Sequence, residues 1–313
     1  MRTSGLLRLI AVLGVVSSVM TGCAIQRPAG ETVVVQPAAA PSMETLLDVG
    51  GVERSVVVRD PEGAASGLVP ALVMLHGATG SGSHMELVSG MTPIAAANGF
   101  VVAYPNGTAV GPNAGGLAWN AGTCCGRPVQ AAVQDVAFLE AVIANLVDHH
   151  RVDPARVYLA GFSNGGMLAY RYMCDSAMGV AGIAVVGGAL NVTSCAAPRP
   201  VSLLVIHGEA DPTVPYDGGL PSATAIEKLG RWVNASVADA TDFWSTRDSC
   251  SGHSVVASGG ASAGVERVEY TGCIAGSGVT IISLANTTHH WPTVTRGDID
   301  ATREIAIHFG LVR

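Results

Sequence analysis

Apolar residues in this chain gather in short runs set among longer stretches of mixed character. Residues 71–75, 100–104, 157–160, 183–186, 201–206 and 279–284 are mostly apolar, and most of these runs close on Gly, His or Pro. Runs of this length without alternation read as strands buried on both faces. Residues 54–59 read as another strand, ended by the turn Asp60-Pro61-Glu62-Gly63. Helical periodicity covers 85–98 and 133–150, and a further helix begins at Met167. Strand and helix alternate from residue 71 onward. The expected fold class is therefore α/β, with a mostly parallel central sheet and helices on both faces.

One strand-to-helix junction stands apart. Between the run 157–160 and the helix from Met167 lies Gly161-Phe162-Ser163-Asn164-Gly165-Gly166. In G-x-S-x-G the glycines clear space around a serine held on a sharp turn, and the helix behind it aims N–H groups at the same point. In a chain with 39 glycines about 0.3 chance matches to this pattern are expected, so its weight comes from the flanking strand and helix. The run 71–75 opens into His76-Gly77-Ala78-Thr79-Gly80, a loop of small residues able to turn backbone N–H groups toward a ligand. By position, the N–H groups of Ala78 (or Thr79) and Asn164 are the expected oxyanion donors. His76 is expected to support this loop. The long Gly-rich stretch through Pro128 is expected at a pocket wall, with Trp119 either stacking on a substrate or covering the core.

Two further groups follow in the order Ser, Asp, His. Past the run 201–206 comes His207-Gly208-Glu209-Ala210-Asp211, where Asp211 is the expected orienting acid and Glu209 and Asp217 are rivals. After the last strand come His289 and His290, of which either could serve as the base. No carboxylate or thiol lies at ligand spacing from them, so no metal is expected, and the chemistry needs no cofactor.

At 313 residues, with 49% hydrophobic and 13% charged positions, the chain suits one well-buried domain. A net charge of −7 and a single lysine, Lys228, give no footprint for nucleic acid. Arg2 and Arg8 precede an apolar stretch too short and broken to span a membrane, so 1–22 read as an export signal. Met20-Thr21-Gly22-Cys23 resembles a bacterial lipobox, with Met20 where Leu, Val or Ile is usual. That resemblance implies lipidation at Cys23 and a membrane anchor, with ordinary secretion as the alternative. Residues 23–45 read as a flexible tether and 46–313 as the catalytic domain, expected to be a monomer. In an exported chain the remaining six cysteines imply disulfides. Cys250 with Cys273 is the first expected pair and Cys174 with Cys195 the second, which leaves Cys124 to Cys125.

Several stretches occur together in a fixed order: His76-Gly77, residues 99–107, Trp119-Asn120-Ala121-Gly122 with Cys124-Cys125-Gly126, the Gly161–Gly166 turn, His207-Gly208 with Asp211 and Val214-Pro215-Tyr216, and His289 with Trp291-Pro292. Over roughly residues 50–310 the chain resembles the secreted polyhydroxybutyrate-depolymerase/feruloyl-esterase family of α/β-hydrolases, most closely its LpqC-like lipoprotein branch. The resemblance implies an α/β-hydrolase fold, hydrolysis of carboxylic esters, and a triad of Ser163, Asp211 and His289. Alignment on Trp291-Pro292 selects His289 over His290, although Thr287-Thr288 stand where the family usually has glycines. Thr79, Trp119 and Trp291 are the expected substrate contacts. Residues 119–126 resemble the feruloyl-esterase side more than the polyester side. A polyhydroxyalkanoate depolymerase and a surface-binding lipoprotein without turnover are the alternative readings.

Overall fold

Residues that alternate along one strand feed two separate cores. The computed structural model describes residues 44–63, 67–111, 114–196, 199–258 and 264–312. The expected signal segment, the Cys23 lipidation site and the tether as far as residue 43 lie outside these. In chain order the elements are β1 (Glu44–Val49), β2 (Val52–Arg59), β3 (Val69–Leu75), α1 (Gly82–Ser89), α2 (Met91–Asn98), β4 (Val101–Pro105), β5 (Thr108–Gly111) and β6 (Ala114–Ala118). Then follow α3 (Gly126–Gln130), α4 (Asp135–His149), β7 (Val152–Phe162), α5 (Asn164–Asp175), β8 (Gly182–Val186), β9 (Ser202–Gly208), α6 (Ala223–Leu229) and α7 (Val237–Arg247). The chain continues with β10 (Gly252–Ser258), β11 (Val265–Thr271), β12 (Gly278–Leu284) and α8 (Ala301–His308).

Ten strands form one sheet in the order β1-β2-β4-β3-β7-β8-β9-β12-β11-β10. The six from β4 to β12 run parallel, and antiparallel pairs flank them on both sides. In β3, Ala71, Val73 and Leu75 face the core covered by α4, α5 and α7, while Leu72 and Met74 face that under α1, α2 and α8. A parallel strand needs apolar residues at odd and even positions alike because helices cover both faces. The expected α/β class is what the chain adopts.

The departures from expectation are local. The helix read at 85–98 is two helices, because Gly90 takes φ 60° and caps α1 with its N–H on Glu86 O. Pro93 then sits in the first turn of α2, where its missing N–H does no harm. The strand read at 157–160 begins earlier, at Val152, and takes Asp153-Pro154 into β7. Glu44 and Thr45, assigned above to the tether, pair with Val57 and Val56. The Gly-rich stretch holds the β5–β6 hairpin and α3, which its composition concealed. The disulfides are Cys250–Cys273, Cys174–Cys195 and Cys124–Cys125, as expected.

Candidate active site

In a parallel sheet the carboxyl ends of all strands open on one rim, and connections there converge. Ser163 follows β7, Asp211 follows β9 and His289 follows β12; β7, β8, β9 and β12 are consecutive in the sheet. Ser163 has φ 54° and ψ −120°, a conformation L-residues rarely adopt and one that its surroundings must enforce. Its N–H donates to Val186 O at 2.8 Å, and its carbonyl accepts from Met167 N–H at 2.9 Å. Gly165 lets α5 approach β3 so closely that a Cβ there would overlap the carbonyl oxygens of Leu75 and His76.

Ser163 Oγ lies 2.9 Å from His289 Nε2, and His289 Nδ1 lies 2.6 Å from Asp211 Oδ2. The Nδ1–H tautomer donates to the carboxylate and leaves Nε2 as acceptor for the serine hydroxyl. The other carboxylate oxygen of Asp211 accepts from the N–H groups of Thr213 and Val214, at 2.8 and 2.9 Å. Burial alone would raise the Asp211 carboxyl. The hydrogen bond and charge of His289, with the two backbone N–H groups, outweigh it and hold the group below the usual carboxylate range. Phe162 stacks on the His289 ring with centroids 5.0 Å apart.

The N–H groups of Ala78 and Asn164 make no hydrogen bond to another described residue. The loop carrying Ala78 is braced by His76, which is fully buried. Its Nδ1–H donates to Gly77 O at 2.8 Å and its Nε2 accepts from Gly107 N–H at 3.0 Å. Burial, the dominant influence, lowers its pKa to about 4, so it is a neutral strut. Thr79 is exposed at φ 67°, beside the hairpin, where Leu117 N–H reaches Gly80 O at 3.0 Å.

Two expected substrate contacts are corrected. Trp119 has no exposed surface, donates from Nε1 to His76 O at 2.8 Å and faces Phe138. Trp291 is 3% exposed, donates to Thr302 Oγ1 at 3.0 Å and meets Phe162 edge-on. Large rings are where apolar burial stabilises most, and here each stands behind the rim as a pillar.

Other supports had no readable signal. The Asn164 side chain accepts from Trp119 N–H at 2.7 Å and donates to Trp119 O at 3.2 Å, tying α5 to the loop bearing the Cys124–Cys125 bridge. Asp135 pairs with Arg54 at 2.8 Å and accepts from Asn120 N–H at 2.7 Å. Burial raises its pKa despite Arg54. In the sequence, Asp135 is only an acid at a helix start.

The fold has counterparts among known proteins. At the level of fold, an acetyl xylan esterase from Aspergillus awamori superposes with a TM-score of 0.56 at 14% identity, covering 83% of this chain and 94% of that one. The native structure of pOPH superposes with a TM-score of 0.52 at 16% identity, covering 87% and 86%. The putative esterase NocK of Nocardia uniformis subsp. tsuyamanensis is 38% identical over 151 residues, 48% of this chain and 42% of its own length. Feruloyl esterase B of Piromyces equi is 34% identical over 173 residues, 53% of this chain and 31% of its own. The chain thus spans less than half the length of either relative. The family model "Esterase PHB depolymerase" matches residues 54–219, a stretch that contains Ser163 and Asp211. With that match covering more than half of the chain, on an α/β-hydrolase scaffold, the chain belongs to the PHB depolymerase esterase family.

Proposed function

We propose that the protein is an extracytoplasmic serine esterase that cleaves feruloyl-, acetyl- or other small carboxylic esters through Ser163, His289 and Asp211. The observation that carries this reading is the unbroken relay from Asp211 Oδ2 through His289 to Ser163 Oγ, at 2.6 and 2.9 Å. Serine is a weak nucleophile at neutral pH until a base accepts its proton. His289 Nε2 takes that proton as Oγ attacks the ester carbonyl, then returns it to the departing alcohol. Asp211 keeps the imidazole in the Nδ1–H tautomer and stabilises its cation. The N–H groups of Ala78 and Asn164 hold the tetrahedral oxyanion, each contributing on the order of 3 kcal/mol. Water, activated by the same imidazole, then releases the acid from Ser163. The donor set calls for no metal or cofactor. Lipidation at Cys23 would tether the enzyme to a membrane facing its substrate.

A fluorophosphonate probe tests the reading: it should label the wild-type protein and leave Ser163→Ala unlabelled. Methyl ferulate, p-nitrophenyl acetate and hydroxybutyrate oligomers then rank the acyl groups. Turnover of the oligomers alone would replace the small-ester reading by depolymerisation, and absence of labelling would leave a binding protein.

A further inference from the structure

The connection that carries His289 is gripped on both sides by one carboxylate. Asp298 Oδ1 accepts the hydroxyl of Thr287, and Asp298 Oδ2 lies 2.8 Å from His290 Nε2. Thr287 stands two residues before His289 and His290 directly after it, so the two bonds straddle the base. Thr287 is 5% exposed and the Asp298 side chain 10%, so water competes weakly for the bond between them, while the His290 side chain is partly open at 23%. With Nε2–H donating to Asp298, the Nδ1 of that tautomer accepts from the Thr288 hydroxyl, 3.2 Å away. Asp298 is itself anchored, its N–H on Thr293 O, two residues before Asp300 caps α8 by accepting from Arg303 N–H.

The other bonds of this segment differ in kind. Thr287 N–H to Leu284 O and His290 N–H to Thr288 O are short-range bonds that shape the turn without tying it to α8. Trp291 makes such a tie through Thr302, but on one side of His289 only. Ala301 N–H to Pro292 O is a further tie on that same side. Among the described residues, the Asp298 bonds alone join both flanks of the base to the segment that leads into α8.

We propose that Asp298, acting through Thr287 and His290, is a positioning residue that sets the His289 imidazole against Ser163 Oγ. It touches no reacting atom, and the proposal rests on the serine-esterase reading above. Reactivity falls steeply with misplacement: about 1 Å costs about 100-fold.

Steady-state kinetics on p-nitrophenyl acetate, normalised to fluorophosphonate-titrated sites, decide it. Asp298→Ala is expected to lower kcat about tenfold with KM within about twofold, the pattern of an interaction realised in the transition state. His290→Leu should fall similarly. His290→Gln, which keeps an N–H donor toward Asp298, should stay within about threefold of wild type. The Asp298→Ala/His290→Leu double variant should be no slower than Asp298→Ala, because the pair acts as one unit. A folded Asp298→Ala variant with wild-type kcat overturns the proposal, as does a loss carried by KM or a His290→Gln variant as slow as His290→Leu. Circular-dichroism melting reports folding; if Asp298→Ala does not fold, the contrast between His290→Leu and His290→Gln decides. An active wild type with full-speed Asp298→Ala removes this proposal alone, whereas an inert, unlabelled wild type removes the esterase reading as well.

Discussion

His289 and His290 are adjacent, and each has a ring nitrogen within 2.8 Å of an aspartate oxygen. Only one of them meets a serine. His289 binds Asp211 through Nδ1 and turns Nε2 to Ser163, with Phe162 against its ring. His290 uses Nε2 for Asp298, and its Nδ1 meets the Thr288 hydroxyl. An Asp–His pair is therefore not a catalytic unit in itself. Which ring nitrogen faces the acid, and what stands opposite the other one, decides whether the imidazole acts as a base or as a fastener.

The largest contrast is expected from removing each ring. His289→Ala should lower kcat by about 10⁵-fold or more, against about tenfold for His290→Leu; comparable losses on a common ester would erase the distinction. Changing the acids comes next. Asp211→Asn should cost about 10⁴-fold because the tautomer is no longer dictated, while Asp298→Asn, still able to accept from Thr287, should lose less than about tenfold.

The Ser163 side of the site offers a smaller effect, in stability. Asn164→Ala leaves the buried Trp119 N–H without its partner, while Trp119 O keeps Cys125 N–H, at about 2 kcal/mol, readable as a lower denaturation midpoint. An unchanged midpoint would mean that water replaces the carboxamide.

His76 extends the comparison to an imidazole with no acid beside it. Burial keeps it neutral down to about pH 4, while the unfolded chain takes up its proton near pH 6.5. Between those values the unfolded state binds more protons, so stability must fall as pH falls. The slope is about 1.4 kcal/mol per pH unit, about 3 kcal/mol in all. His76→Gln should flatten that part of the pH–stability curve. The depressed Asp211 carboxyl acts in the same direction at lower pH: its contribution is full above the ordinary carboxylate range and is lost as pH falls through its lower folded value.

Patterns a few residues long determined much of this protein. The runs at 71–75, 183–186 and 201–206 could be read as buried strands because burial on both faces leaves no polar position to hide. The turn at Ser163 announced itself because its glycines are dictated by backbone contacts close at hand. The rule that sites collect at strand ends pointed to Asp211 and to the pair His289 and His290, and the family resemblance chose His289. Tertiary structure decided the rest. The hairpin at 108–118 lacks an apolar period and is held against the loop at Gly80, beyond any local signal. Trp119 could be read either way and Trp291 as a substrate contact, yet both are buried pillars, because a side chain's surroundings come from distant segments. His289 meets partners 78 and 126 positions away. Convergence over such distances belongs to the packing of the sheet: the resemblance favoured His289 over His290, but only the assembled chain gives each imidazole its surroundings.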